Sequence, residues 1–254
     1  MDSPIIEIKD LVTTYYGNTV IKGLSTNFYH NQFTVILGPN GSGKTTLLKS
    51  ILGLCNIASG EVKVFGEKVH KWKYKIRRRI AYVSQVENID PRLPITIEES
   101  VLLGRAGVRG LGKPYTKNDR ELVTQILERL GIAHLREKPI GKVSGGERQK
   151  ASIARALVQE APIILMDEPT ASLDPNAQLE ILSIINNLKE LHKNTTIYVT
   201  HELAELPEKC DRIIMLKDGN IWRDGNPEEL LNEDLLLELY GGSDFCCRDR
   251  LKHH

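Results

Sequence analysis

The stretch LGPNGSGKTT, from Leu37 to Thr46, gathers residue types that can handle phosphate. It follows the apolar run FTVIL and precedes the helix-like LLKSIL, so it reads as a strand, a glycine-rich loop and a helix start. Gly38, Gly41 and Gly43 allow a tight backbone, and with Pro39, Asn40, Ser42 and Thr46 they form a loop whose consecutive amides can ring the phosphates of a nucleotide. Lys44 would reach the β- and γ-phosphates, and the Thr45 hydroxyl, opening the helix beside them, is placed to ligate Mg²⁺. A plain glycine-rich turn is the alternative, and the strand–loop–helix context weighs against it.

Further along, IILMDEPT ends a buried strand in two carboxylates. Ligands of open parallel sheets collect at the carboxyl ends of strands, so Asp167 and Glu168 would face the phosphate loop. Asp167 suits a direct or water-mediated contact to Mg²⁺, and Glu168 suits the base that orients or deprotonates an attacking water. His201 follows the strand TTIYVT, where an imidazole could donate to the γ-phosphate or merely cap a helix. Gln85 follows IAYV at the same edge, and its amide could join water or Mg²⁺ coordination. Tyr16, in YYGN, offers an aromatic face to a purine, with packing in a β-turn equally open.

A second glycine-rich helix start occurs in KVSGGERQK. Ser144 and Glu147 have capping-box spacing, and Ala151, Ala154, Leu157 and Val158 continue at helical period. Gly145 and Gly146 each cost a helix roughly 0.5–1 kcal/mol against alanine, so close approach of an anion to free amides would explain the pair. An ordinary capped helix with a tight entry would have the same pattern.

The elements that must position these groups are legible as an alternating pattern. IIEIK (Ile5–Lys9), a run around Val20 and FTVIL predict strands at the start, in an antiparallel N-terminal β subdomain. IAYV, IILM, TTIYVT and RIIML are apolar without alternation, as in a parallel sheet covered on both faces. Between Val86 and Glu160 the pattern is helical, with helices over Thr96–Arg105, over Lys117–Leu130 and from Ser144, which predicts a helical subdomain at about 86–160 inserted in an α/β core. Asp218–Asn220 reads as a hairpin turn, Pro227–Leu231 and Asp234–Tyr240 as short helices, and 241–254 as a polar tail after a domain spanning 1–240.

The 254 residues carry 34 basic and 33 acidic side chains, so no global charge draws the chain to nucleic acid. The basic run Lys71–Arg79 interleaves Trp72 and Tyr74 with positive charge, and a solvated helix face accounts for it better than a nucleic-acid site. No apolar run approaches the ~20 residues that span a bilayer, and MDSPIIEIKD has no export signal, so a soluble cytosolic chain is expected. Cys55, Cys210, Cys246 and Cys247 lack C-x-x-C spacing; Cys246 and Cys247 with His253 and His254 could form a metal site or be incidental residues of a tail.

Taken together these motifs closely resemble the ATP-binding cassette (ABC) family, over almost the whole chain from Ile5 to about Tyr240. The resemblance implies a P-loop NTPase core with a Walker A motif at Gly38–Thr46, a Walker B motif ending in Asp167 and Glu168, Gln85 as the Q-loop glutamine, Asp174 in the D-loop, His201 as the switch histidine and Tyr16 stacking adenine. VSGGE resembles the family signature LSGGQ, with Val143 for leucine and Glu147 for glutamine. In that family Ser144, Gly145 and Gly146 would contact the γ-phosphate of ATP held by a second copy. It further implies ATP and Mg²⁺ as cofactors, integral membrane permease subunits as partners, an indirectly engaged substrate-binding protein, no nucleic acid, and a peripheral place on the cytoplasmic face of the cell (inner) membrane. Leu93–Ile132, with LGR, a bend and KNDRE, resembles cassettes of bacterial importers of metal ions or metal chelates, the zinc/manganese type above all. Soluble ABC ATPases of DNA repair or translation carry long coiled-coil, zinc or tandem-cassette insertions that this chain lacks, and a phosphate-loop kinase has no use for VSGGE.

Overall fold

The computed structural model describes residues 3–241 apart from 16, 70–73, 86–89, 91, 111 and 192–193. Tyr16, Trp72, Cys246, Cys247, His253 and His254 therefore lie outside the described residues.

Five strands without polar alternation run parallel, because each is covered on both faces. They are β3 (Phe33–Leu37), β6 (Ile80–Val83), β7 (Ile163–Asp167), β8 (Thr195–Thr200) and β9 (Arg212–Lys217). With the antiparallel edge strand β10 (Asn220–Gly225) they form a six-stranded sheet of order β10-β9-β3-β8-β7-β6. The turn between β9 and β10 places Asp218 at φ 51° and Gly219 at φ 82°, the left-handed pair that a two-residue hairpin requires. Successive side chains divide between two cores: Val35 and Leu37 point into one, Ile36 into the other.

The first core is roofed by helices. These are α3 (Ile97–Arg109), α4 (Lys117–Arg129) and α5 (Gly145–Leu157), all between β6 and β7, together with α6 (Pro175–Leu191). Thr96, Thr116 and Ser144 each begin a helix with a complete capping box, to Glu99, Asp119 and Glu147. The α3 helix contains Gly104 and Gly107, whose low propensity argues for an early end, and runs four residues past the expected Arg105. Packing overrides that cost at Gly104, where a Cβ would lie 2.2 Å from the Arg155 carbonyl of α5.

The second core separates the large sheet from a smaller antiparallel one. Here β1 (Ile6–Tyr15) pairs with β2 (Asn18–Phe28) and with β4 (Ile57–Val64), and β4 pairs with β5 (Glu67–Lys68). The sequence pattern pointed to β1 and β2 but not to β4, which opens with IASGE and has no apolar alternation there. Leu47, Leu48 and Ile51 of α1 (Lys44–Ile51) fill the space between the sheets. Of the basic run, α2 (Tyr74–Arg77) is a four-residue helix, and Arg79 lays its guanidinium 3.6 Å over the Phe65 ring. Two short helices, α7 (Pro227–Leu230) and α8 (Glu233–Tyr240), follow the sheet.

Candidate active site

The parallel strands end at one edge. Leu37 is level with Thr200, Asp167 with Val199, and Val83 with Met166, so the segments after β3, β8, β7 and β6 emerge side by side. They carry the Gly38 loop, His201, Glu168 and Gln85.

Gly38 enters the loop against β9, where a Cβ would lie 2.3 Å from the Leu216 carbonyl, so only glycine fits. The loop closes on Gly43, the N-cap of α1, at φ 102°, a left-handed conformation that turns the following amides inward. Lys44 folds back over it: Nζ donates to the carbonyls of Gly38 at 2.8 Å and Pro39 at 3.1 Å and lies 3.4 Å from Glu168 Oε1. Burial pushes the Lys44 pKa down, and the charges of Glu168 and Asp167 oppose that shift.

The two oxygens of Asp167 are separately held. Thr45 Oγ1 donates to Oδ1 at 3.0 Å, and the Tyr82 hydroxyl donates to Oδ2 at 3.0 Å. Burial raises the Asp167 pKa, against these two hydrogen bonds. The donors at this point are a hydroxyl and a carboxylate, hard oxygens that fit Mg²⁺. Tyr82 was absent from the sequence reading; a tyrosine within an apolar buried strand is the signal, since its hydroxyl requires a partner.

Glu168 is the meeting point. Besides Lys44, it accepts a hydrogen bond from Gln85 Nε2 at 3.3 Å, and His201 Nδ1 lies 3.1 Å from Oε2 without hydrogen-bond geometry. Its backbone is left-handed, φ 46°, a conformation costing a non-glycine residue roughly 1–3 kcal/mol. The amide bonds to Val199 O at 3.0 Å, and the side chain is withdrawn to 8 % exposure. Strain and burial together hold one carboxylate among a lysine, an amide and an imidazole.

The Ser144 helix start is elsewhere. Ser144 Oγ accepts from the Glu147 amide at 3.2 Å, and Glu147 Oε2 accepts from the Ser144 amide at 2.8 Å, which holds the Glu147 pKa below the usual range. Among the described residues, no hydrogen bond or ion pair joins Ser144, Gly145, Gly146 or Glu147 to the cluster around Lys44. Gly145 is exposed, whereas Gly146 is buried against α6, where a Cβ would lie 2.8 Å from that of Ala177. Asp174 accepts from the Ala177 amide at 3.1 Å and so caps α6.

The chain is similar to known proteins over most of its length. A family model described as ABC transporter matches residues 21–171. The chain is 37 % identical over 246 residues to a phosphonates import ATP-binding protein of Oceanobacillus iheyensis, an alignment covering 93 % of this chain and 96 % of the relative. It is 36 % identical to a manganese transport system ATP-binding protein of Halalkalibacterium halodurans, covering 95 % of this chain and 94 % of the relative. A solved dimeric, post-hydrolysis ATP-binding cassette bound to ADP and Pi superimposes with a TM-score of 0.76 at 30 % identity, over 87 % of this chain and 98 % of that one.

Proposed function

The chain belongs to the ABC transporter family as an ATP-hydrolysing cassette coupled to transport, and we propose that it powers import of a metal ion or metal chelate. The carrying observation for the chemistry is the convergence of Lys44, Gln85 and His201 on Glu168 beside the glycine loop. The loop amides and Lys44 bind the β- and γ-phosphates of ATP. Mg²⁺ would be held by Thr45 and Asp167, with Gln85 in reach, and would neutralise phosphate charge. Glu168 accepts a proton from the water that attacks the γ-phosphorus, and His201 donates to a γ-phosphate oxygen. Tyr16 stacks on the adenine.

Hydrolysis in this reading needs two copies. Ser144, Gly145 and Gly146 of one chain close over the nucleotide of the other, with Glu147 holding the helix start and Asp174 at the junction. The pair sits peripherally on the cytoplasmic face of the membrane; among the described residues no helix is long and apolar enough to cross it. The helical span from α3 to α5 meets the permease subunits, and α3 leaves Leu103 and Val108 exposed for such a contact. A substrate-binding protein delivers cargo to the permease.

Relatives named for manganese, zinc and metal transport support the metal reading, and the relative at 37 % identity favours phosphonate as a second. Purification from membranes should bring down a permease subunit, and cells should take up Mn²⁺ or Zn²⁺ with the parent chain but not with Lys44→Ala. Loss of phosphonate uptake with metal uptake intact would transfer the cargo to the second reading.

A further inference from the structure

The imidazole of His201 is poorly held by its own contacts. Nδ1 makes no hydrogen bond, and Nε2 has Glu202 Oε1 at 3.5 Å, on a half-exposed side chain. Its aim must come from the backbone that carries it. That backbone is tied from inside by Glu205, in the short helical turn Leu203–Glu205 that follows β8. Thr200 Oγ1 donates to Glu205 Oε2 at 2.7 Å and accepts from the Glu202 amide at 3.0 Å, which closes residues 200–205 into a ring around His201.

The Glu205 side chain is buried, with 2 % of the residue exposed, where a carboxyl costs several kcal/mol unless it is paired or neutralised. Burial accordingly raises its pKa, while the Thr200 and Thr170 hydroxyls oppose the shift. Glu202 acts on it unfavourably and His201 favourably. Thr170 lies two residues beyond Glu168, and its hydroxyl is 3.3 Å from that of Tyr198, two residues before Thr200 on the same strand. The other carboxyl oxygen, Oε1, makes no hydrogen bond, so the carboxyl holds the segment that carries His201 through Thr200. From the outer side, the Tyr240 hydroxyl at the end of α8 donates to the His201 carbonyl at 2.8 Å.

We propose that Glu205 is a positioning residue for ATP hydrolysis: buried and bonded to Thr200, its side chain fixes the loop that aims His201 beside Glu168. This rests on His201 and Glu168 acting as proposed above. Replacing the carboxyl by a leucine of similar bulk leaves the phosphate loop untouched but frees the His201 loop.

The test combines steady-state hydrolysis with proton NMR of the seven histidines of the full chain. Glu205→Leu should lower kcat about 10-fold with the KM for ATP within about 2-fold, and Glu205→Gln, whose carboxamide oxygen still accepts from Thr200, should recover most of the rate. In a His201→Gln background, adding Glu205→Leu should lower the residual rate less than about 2-fold, because residues acting as a unit are not additive. The His201 imidazole signal, identified by its loss in His201→Gln, should move or broaden in Glu205→Leu while the others hold. Equal losses in both backgrounds, an unmoved His201 signal, or a general shift of every imidazole signal would overturn the proposal. A parent chain that fails to hydrolyse ATP would instead overturn the catalytic reading, whatever the spectra show.

Discussion

The Lys44 loop and the Ser144 helix start are both glycine-rich entries into a helix, and they treat their polar groups in opposite ways. Around the loop, Lys44, Asp167 and Glu168 are buried, and although Lys44 also bonds the nearby Gly38 and Pro39 carbonyls, the cluster is joined across the sequence: Lys44 lies against Glu168, Thr45 bonds to Asp167, and Gln85 to Glu168. At α5, Ser144 and Gly145 are exposed, and the capping box is satisfied within three residues. The first is a site that the folded chain assembles for itself. The second is capped within itself and leaves Ser144 and Gly145 exposed, so in the proposed reading it acts on a nucleotide brought to it by another copy.

The sharpest break in this comparison is Glu168→Gln, which preserves shape but removes the base. Hydrolysis should fall ~10²–10⁴-fold while ATP binding survives, and light scattering in ATP should show dimers that dissolve in ADP, because ATP then bridges two chains. A variant that hydrolyses at the parent rate would remove Glu168 from the mechanism. Ser144→Arg attacks the other region: the loop should still bind ATP, but hydrolysis should drop at least ~10-fold as the side chain blocks the opposing nucleotide. Titration with a fluorescent ATP analogue beside a phosphate-release assay separates the two effects, and normal turnover would refute the two-copy reading.

Smaller effects sharpen the distinction. Gly146→Ala sets a methyl 2.8 Å from the Ala177 Cβ, so α5 and α6 must part, at about 1–2 kcal/mol after the gain in helix propensity. Gly145→Ala meets Leu173 Cδ2 only at 3.4 Å and should change stability by less than about 0.5 kcal/mol. Urea unfolding of both variants checks the pair; an equal cost would mean that the glycines serve the helix start alike.

Away from both regions, Asp119 ties α3 to α4 through Arg105 at 2.8 Å. Despite the opposing effect of burial, bonds from Thr116 and Arg105 hold its pKa at about 2. A depressed carboxylate pKa stabilises the fold above the unfolded value, ~3.9, and the benefit is lost as pH falls through about 2. Asp119→Asn should therefore cost about 1 kcal/mol at pH 7, a gap that narrows below pH ~4 while the two regions compared above keep their ATP binding at neutral pH. A gap that stays constant with pH would detach the effect from the Asp119 charge.

What the sequence determined by itself is local. The glycine spacing before Lys44, the Ser144–Glu147 capping box and the Asp218–Gly219 turn are set by sterics and by hydrogen bonds spanning a few residues, so their residue types announce them. The carboxylates ending IILM and the histidine ending TTIYVT were legible for a related reason: buried parallel strands are uninterrupted apolar runs, and polar residues just past them stand at the sheet edge. Only the tertiary structure decided which edges meet. β4 joins the small sheet by pairing with β1 more than forty residues earlier, Tyr82 becomes a clamp because β6 lies beside β7, and Glu205 is buried beneath His201 because the chain turns inward after β8. Gly104 and Gly146 look like helix defects until α5 and α6 pack on them. Such roles depend on neighbours remote in the chain, whose identity is set by the packing of the whole sheet and its helices and leaves no trace in local spacing.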